Sequence, residues 1–279
     1  MLTKEKPLKA IMTLTLIVCC IVSLIPIMLM FMNSFKTGSE LSANSWGWPR
    51  NFVFDNYTNL LSYNGGVIVR SYLNGLFVAI SYTVLTIIIS ALAAFAFSKY
   101  KFPGHNIIFA LLLATMMVPG EINVTPLYIF FSKIKWLNTY QVQIFPGLAN
   151  VFCMFMLKQY MDGLPNSLLE SARLDGAGHL TVFARILFPI SAPAVGAMTI
   201  LSFLGKWNDY LWPRIMLTKT NIMPIMVILP TLNTEDSQWS IPWETIMAGC
   251  TVVVLPLIIV FFIFQKHFMS SIVIGSVKE

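Results

Sequence analysis

Charge is scarce in this sequence. Only 11% of its 279 residues are Asp, Glu, Lys or Arg, against about 25% in a soluble domain. With 57% hydrophobic residues and a mean hydropathy of +0.74, a water-soluble fold would expose large apolar patches. Lipid is therefore the expected solvent. Cysteine is scarce too. Cys19, Cys20, Cys153 and Cys250 all lie in apolar runs, spaced neither for zinc nor for a disulfide framework. They read as small hydrophobes packed between helices. His105, His179 and His267 form no ligand cluster and no His-Glu-x-x-His motif, which argues against metal chemistry and catalysis by this chain. A Gly-x-x-x-x-Gly-Lys-Ser/Thr phosphate loop is also missing, since the Gly205-Lys206 pair is followed by Trp207. Any ATP-driven step then needs another polypeptide, and no cofactor is expected here.

The basic excess, +6 at pH 7, does not point to nucleic acid. The lysines and arginines sit in short segments between apolar runs, the usual flanks of membrane spans. A crossing helix needs roughly 20 apolar residues. Spans are expected near 10–32, 72–98, 106–131, 140–160, 186–205 and 245–264, within a single membrane domain covering 1–279. The run 10–32 is too long for a signal-peptide core and is followed by no small-residue cleavage pattern, so it reads as a retained span. The stretch 211–232 carries Arg214, Lys219 and three prolines. Charges near a helix centre cost about 2.5–3.5 kcal/mol each on insertion scales, so a partly buried or interfacial loop is expected there. An even number of spans puts both termini on one side, and the Lys and Arg distribution favours the cytoplasm. Asn33 to Ser71 reads as an outer loop with a short helix. Trp207, Trp212, Trp239 and Trp243 read as an aromatic belt.

One stretch interrupts the apolar text: ESARLDGAGHLTVFARILFP, Glu170 to Pro189. Just before it, Ser167 stands three residues ahead of Glu170, the spacing of a capping box. Pro165 lies outside the helix start. Gly176 supplies a left-handed stop, with Gly178 behind it. A helix of about two turns is expected over Ser167–Asp175. Leu168, Leu169 and Ala172 make a small apolar patch, with Glu170, Arg173 and Asp175 beside it. So short a helix is unstable alone in water. Its patch is expected to enter a groove on a partner protein.

This segment resembles the signature loop of ABC importer permeases: Glu-Ala-Ala, three residues, Gly, nine residues, Ile, one residue, Leu-Pro. The chain has Glu170, Ala172, Gly176, Ile186 and Pro189 at that spacing, five of the seven fixed positions, with Ser171 and Phe188 as mild replacements. MMVPGEINVTPLYIFF, PNSLLESARLDGAG, KWNDYLWP and the terminal GSVK extend the likeness to the smaller permease of maltose-type carbohydrate importers. One departure is Ser270-Ser271, where that family often has glycine. The resemblance implies an all-α, type I importer permease fold with six spans, and a cytoplasmic coupling loop at 163–180. It implies that Ser167, Leu168, Leu169, Glu170, Ala172, Arg173, Asp175 and Gly176 meet an ATPase subunit, with Glu170 pairing a basic residue there. The implied partners are a second, homologous permease, two cytoplasmic ATPase subunits that hold ATP and Mg, an extracellular solute-binding protein, the bacterial inner membrane and a carbohydrate.

Beyond that loop, Glu121 is an acid inside a span and a functional candidate for that reason. Asn123, Asn74, Tyr82, Asn150, Asn208 and Asp209 could offer polar groups to a sugar, while interhelical hydrogen bonds account for them equally well. The competing function is a secondary transporter or channel working alone. It would call for coupling-ion sites near midplane or an inverted repeat, and the sequence displays neither. An integral-membrane enzyme is the third alternative.

Overall fold

A computed structural model describes residues 5–230 and 243–276, and helices form nearly all of its regular structure. The helices are α1 (Glu5–Asn33), α2 (Gly38–Ala43), α3 (Asp55–Ser62), α4 (Val67–Lys99), α5 (His105–Thr115), α6 (Val124–Lys133), α7 (Tyr140–Ile144) and α8 (Val151–Asp162). They continue with α9 (Ser167–Leu174), α10 (His179–Val182), α11 (Phe188–Ile190), α12 (Ala192–Trp207), α13 (Leu211–Met216), α14 (Ile225–Ile228) and α15 (Trp243–Ser276). A π turn, Phe183–Leu187, joins α10 to α11. The chain divides into two compact units, Met1–Val69 with Ile228–Leu255, and Arg70–Val227 with Pro256–Glu279.

Among the described residues, three helices are long and apolar enough to span a bilayer unaided: Ile11–Asn33, Val67–Lys99 and Trp243–Lys266. Two helix pairs reach that length only when taken together, and both are bent. His105–Thr115 meets Gly120–Lys133 at 87°, and His179–Ile190 meets Ala192–Trp207 at 79°. Proline explains both bends, because it removes a backbone donor and clashes with the preceding turn. Pro119 ends the first break, and Pro189 and Pro193 flank the second. The expected crossing at 140–160 is divided more severely. Its pieces, α7 and α8, are separated by Phe145–Asn150, where Pro146 precedes a left-handed Gly147 (φ +85°). Pro119 inside the run 106–131 points to a kink there, and the chain bends at that place. Continuous hydrophobicity suggests one rod at 140–160 and at 186–205, because composition does not register those breaks. The loop expected at 211–232 holds the short helices α13 and α14 and buries Met216, Leu217, Met223, Ile225 and Val227.

In the first unit, Lys36 is wholly buried beyond the end of α1. Its ammonium donates to Asn33 Oδ1 at 2.8 Å, to the Asn44 carbonyl at 2.5 Å and to the Gly47 carbonyl at 2.7 Å. Those three acceptors let a lysine sit where water does not reach. Burial pushes its pKa below the usual lysine value, and the Glu40 carboxylate opposes that shift. Asn56 ties the same turn by donating to the carbonyls of Ser34 and Lys36. The segment 33–71, where a loop with one short helix is expected, holds two, α2 and α3.

The second unit has its core where α4, α8, α9 and α12 converge. Ala91 and Ala94 on α4 are fully buried, and so are Cys153, Leu157 and Met161 on α8. Alanine at such points lets helices approach closely, which is how packing holds helices together in lipid. Leu169 and Ala172 of α9, Val182, Leu187 and Met198 complete the cluster. Trp207, expected in an aromatic belt, is buried instead, edge-on to Tyr72 and stacked on Phe203. Trp243 is exposed, and Trp239 lies outside the described residues.

Candidate functional site: the α9 loop and the α4–α12 cavity

The helix expected over Ser167–Asp175 forms as Ser167–Leu174, with Asp175 as its C-cap. Its N-terminus differs from the expectation. Asn166 is the cap residue, no side chain caps the helix, and the capping box of Ser167 with Glu170 is not made. Asn166 has helical φ and ψ, so the helix starts one residue early and Ser167 lies inside its first turn. The C-terminus is as expected. Gly176 adopts φ +80°, a conformation that costs an L side chain roughly 1–2 kcal/mol. The Ala177 amide donates to the Ala172 carbonyl at 2.9 Å and the Gly176 amide to that of Arg173 at 3.0 Å. That pair of bonds is a Schellman stop.

The apolar patch faces the opposite way from the expectation. Leu169 and Ala172 are buried in the chain's own core, with Leu168 packed against it. Amphipathic spacing shows which face is apolar, not what covers it. The outward stripe is Ser167, Glu170, Ser171 and Leu174, all exposed, at i, i+3, i+4 and i+7. The sequence reading missed Leu174, which at 89% exposed is an apolar side chain projecting from a polar stripe. The Glu170 and Asp175 carboxylates make no ion pair with any described residue.

The end of α4 grips this loop on both sides. Lys99 Nζ donates to the Leu164 carbonyl at 2.8 Å and to Asn166 Oδ1 at 3.2 Å, just before α9. Tyr100 shares a 2.6 Å hydrogen bond with His179 Nδ1, just after it. Arg173 lies over the Tyr100 ring, 5.5 Å from its centroid. Two neighbouring residues thus hold the entry, middle and exit of the α9 loop.

A cavity of about 450 Å³ opens further along α4. Tyr82 on α4, Asn123 before α6, Pro146 and Gly147 in the break, and Asn150 at the start of α8 form part of its wall. Ser202 and Lys206 on α12, Asp209 and Trp212 form the rest of its polar lining. The break at Gly147 shapes this wall, because its carbonyl accepts from the Tyr82 hydroxyl at 3.1 Å, and a Cβ there would lie 3.2 Å from that oxygen. Asn150 caps α8 by accepting from the Cys153 amide at 2.9 Å. Lys206 Nζ pairs with Asp209 Oδ2 at 2.9 Å.

Of the seven polar candidates, Tyr82, Asn123, Asn150 and Asp209 line this cavity, and Asn208 is not part of its lining. Neither is Asn74. It is buried, donates to the carbonyls of Asn221 and Met223, and accepts from the Tyr140 hydroxyl at 2.8 Å. Those bonds make it a tie between segments. Glu121 is exposed on the 3-10 turn Gly120–Asn123, next to the lining residue Gly120. Lys206 and Trp212, read from sequence as a loop charge and a belt residue, belong to the wall. The Lys206–Asp209 spacing of i, i+3 was a signal that could have found the pair. Among the described residues, no three His, Cys, Asp or Glu side chains gather to hold a metal.

The family described as "Binding-protein-dependent transport system inner membrane component" matches residues 5–273. The chain belongs to this family. The permease is thus a multi-pass membrane transport subunit, not an enzyme. It is 36% identical over 271 residues to the Arabinooligosaccharides transport system permease protein AraQ of Bacillus subtilis, covering 96% of this chain and 95% of that one. It is 26% identical to the Diacetylchitobiose uptake system permease protein NgcG of Streptomyces coelicolor, covering 99% and 91%. Its fold matches a chain of a bacterial ABC transporter involved in import of the acidic polysaccharide alginate, with a TM-score of 0.84, 22% identity and coverage of 95% and 98%.

Proposed function

We propose that the permease is the coupling and pathway subunit of an ATP-driven importer of a sugar or oligosaccharide. A second permease, two cytoplasmic ATPase subunits that carry ATP and Mg, and an extracellular solute-binding protein complete the machine. Both termini and the α9 loop face the cytoplasm. The names of the two relatives, one for arabino-oligosaccharides and one for diacetylchitobiose, support the carbohydrate class.

The observation that carries this reading is the two-faced α9. One face is welded into the core through Leu169 and Ala172, and the other presents Glu170 and Leu174 without a partner among the described residues. An ATPase docks on the outward stripe, with Glu170 against a basic side chain. Closure of the ATPase pair moves α9, and α9 cannot move alone. Close-packed interiors pass displacement on, so α4 and α8 follow. The same two helices carry Tyr82 and Asn150 in the cavity wall. Tyr82 lies 17 residues from Lys99 along α4, about 25 Å at helical rise. The ATPase shifts the equilibrium only as far as its contacts with α9 differ between its two states.

Reconstitution tests this. Vesicles holding the permease, its companion permease, the ATPase and the binding protein should accumulate sugar only with ATP. Uptake by the purified chain alone, without nucleotide, would sink the proposal.

A further inference from the structure

Two side chains in the cavity wall carry full charge, and they cancel. Lys206 and Asp209 keep only 10% and 23% of their side-chain exposure at a separation of 2.9 Å. The Lys206 ammonium also lies over the Tyr82 ring, 5.3 Å from its centroid. Asp209 is fixed from its other oxygen, because Oδ1 accepts the Trp212 amide, in the first turn of α13, at 3.2 Å. The pair is held from both sides and needs no ligand to form. Among the described residues, no other Asp, Glu, Lys or Arg lines the cavity. The Asn123 side chain has no hydrogen-bond partner among the described residues.

A lone lysine in such a wall would draw anions, since low-dielectric surroundings focus its field. A paired one does not. A carboxylate or phosphate that reaches the Lys206 ammonium must lie beside the Asp209 carboxylate, and like charges brought together disfavour the wrong ligand. A hydroxyl meets no such conflict. It accepts from Lys206 and donates to Asp209 in one contact, because it carries both a donor and lone pairs.

We propose that the Lys206–Asp209 pair is a specificity element, which admits uncharged polyhydroxylated solutes to this cavity and rejects anionic ones. The proposal rests on reading the cavity as part of the pathway. It goes further in assigning the charge class of the solute and the two residues that set it.

Site occupancy can be read without relying on uptake. In the complete reconstituted transporter, with the four native cysteines replaced, Asn123→Cys is labelled with an uncharged thiol reagent. Labelling is followed in the presence of arabinotriose, maltotriose or trigalacturonate. A neutral trisaccharide should slow labelling, and trigalacturonate should not. Asp209→Asn keeps an oxygen for the Trp212 amide but leaves Lys206 unpaired. It should improve protection by trigalacturonate about five-fold in apparent affinity, the scale of a partly exposed charge pair. Adding Lys206→Gln restores neutrality and should abolish that gain. Trigalacturonate protecting the parent as well as neutral sugars do, or an unchanged pattern in Asp209→Asn, overturns the proposal. Protection by no sugar in vesicles that still take up solute removes the cavity from the pathway. That outcome leaves the α9 coupling reading to stand or fall on its own variants.

Discussion

The α9 loop and the cavity hang on the same two helices, α4 and α8, yet they are built in opposite ways. The loop is one continuous stretch, closed by a glycine and anchored by two adjacent residues, Lys99 and Tyr100. The cavity is assembled from α4, the turn before α6, the break before α8, and α12 with the segment after it. On the proposed reading the first is a lever, whose damage should affect every solute alike, and the second is a filter, whose damage should depend on the solute. Each variant below tests whether that division holds.

The largest effect is expected from Glu170→Ala. Removing one member of a docked charge pair costs about 2–5 kcal/mol, enough to detach the ATPase. Uptake of every solute should fall to background while the protein still inserts in the membrane. Normal uptake, or a loss confined to some sugars, would break the comparison, and a transport assay beside a membrane-fraction blot decides it.

Asn74→Ala comes next, and it separates the frame of the unit from its wall. The change leaves two carbonyls and the Tyr140 hydroxyl without their partner, at about 1–3 kcal/mol for a buried group so stranded. The amount of folded permease should drop, with solute preference unchanged in what remains. A changed preference would place Asn74 in the filter after all. Thermal melting of the detergent-solubilised complex and a competition uptake assay give the two readouts.

Gly176→Val tests whether the lever must end where it does. A Cβ at Gly176 meets no atom within 4 Å, so the penalty is the left-handed backbone alone, about 1–2 kcal/mol and worse for a β-branched residue. The last turn of α9 should unwind, and ATPase stimulation by the loaded binding protein should fall several-fold. Gly176→Ala should fall less. Equal, unaltered stimulation in both would show that the Schellman stop is dispensable.

The contrast between lever and filter also explains what the sequence disclosed. Gly176 and Pro165 punctuate one short window, so the existence of α9 and its stop were legible from residues in a row. Which way Leu168, Leu169 and Ala172 face was not, because the cluster they join is built from residues remote in sequence, Phe95 and Leu157 among them. The spans were legible as apolar runs. The kink at Pro119 was legible from the proline itself, but the bend at Pro189 and the split at Pro146-Gly147 were not, since a hydropathy window averages over the very residues that break it. The cavity was least legible. Tyr82, Asn150 and Asp209 become neighbours only after the chain folds. Asn74, chemically indistinguishable from Asn123 on paper, turns inward to three partners.

Tyr100→Phe is the mildest change and the sharpest, because it sits where the two regions connect. The phenyl ring keeps its edge-on contact with Phe95, at 5.2 Å between centroids, and its face for Arg173. Only the hydroxyl bond to His179 is lost. A single neutral hydrogen bond is worth about 1 kcal/mol, so sugar moved per ATP hydrolysed should fall no more than a few-fold, equally for all solutes. His179→Ala should have a similar effect, and the double variant should be no worse than either alone, as expected of two groups that act through one bond. Additive losses would mean that Tyr100 and His179 serve the loop separately. An unchanged transport-to-hydrolysis ratio in all three would show that motion reaches the cavity through the Leu169 and Ala172 packing alone, without the clasp at the end of α4.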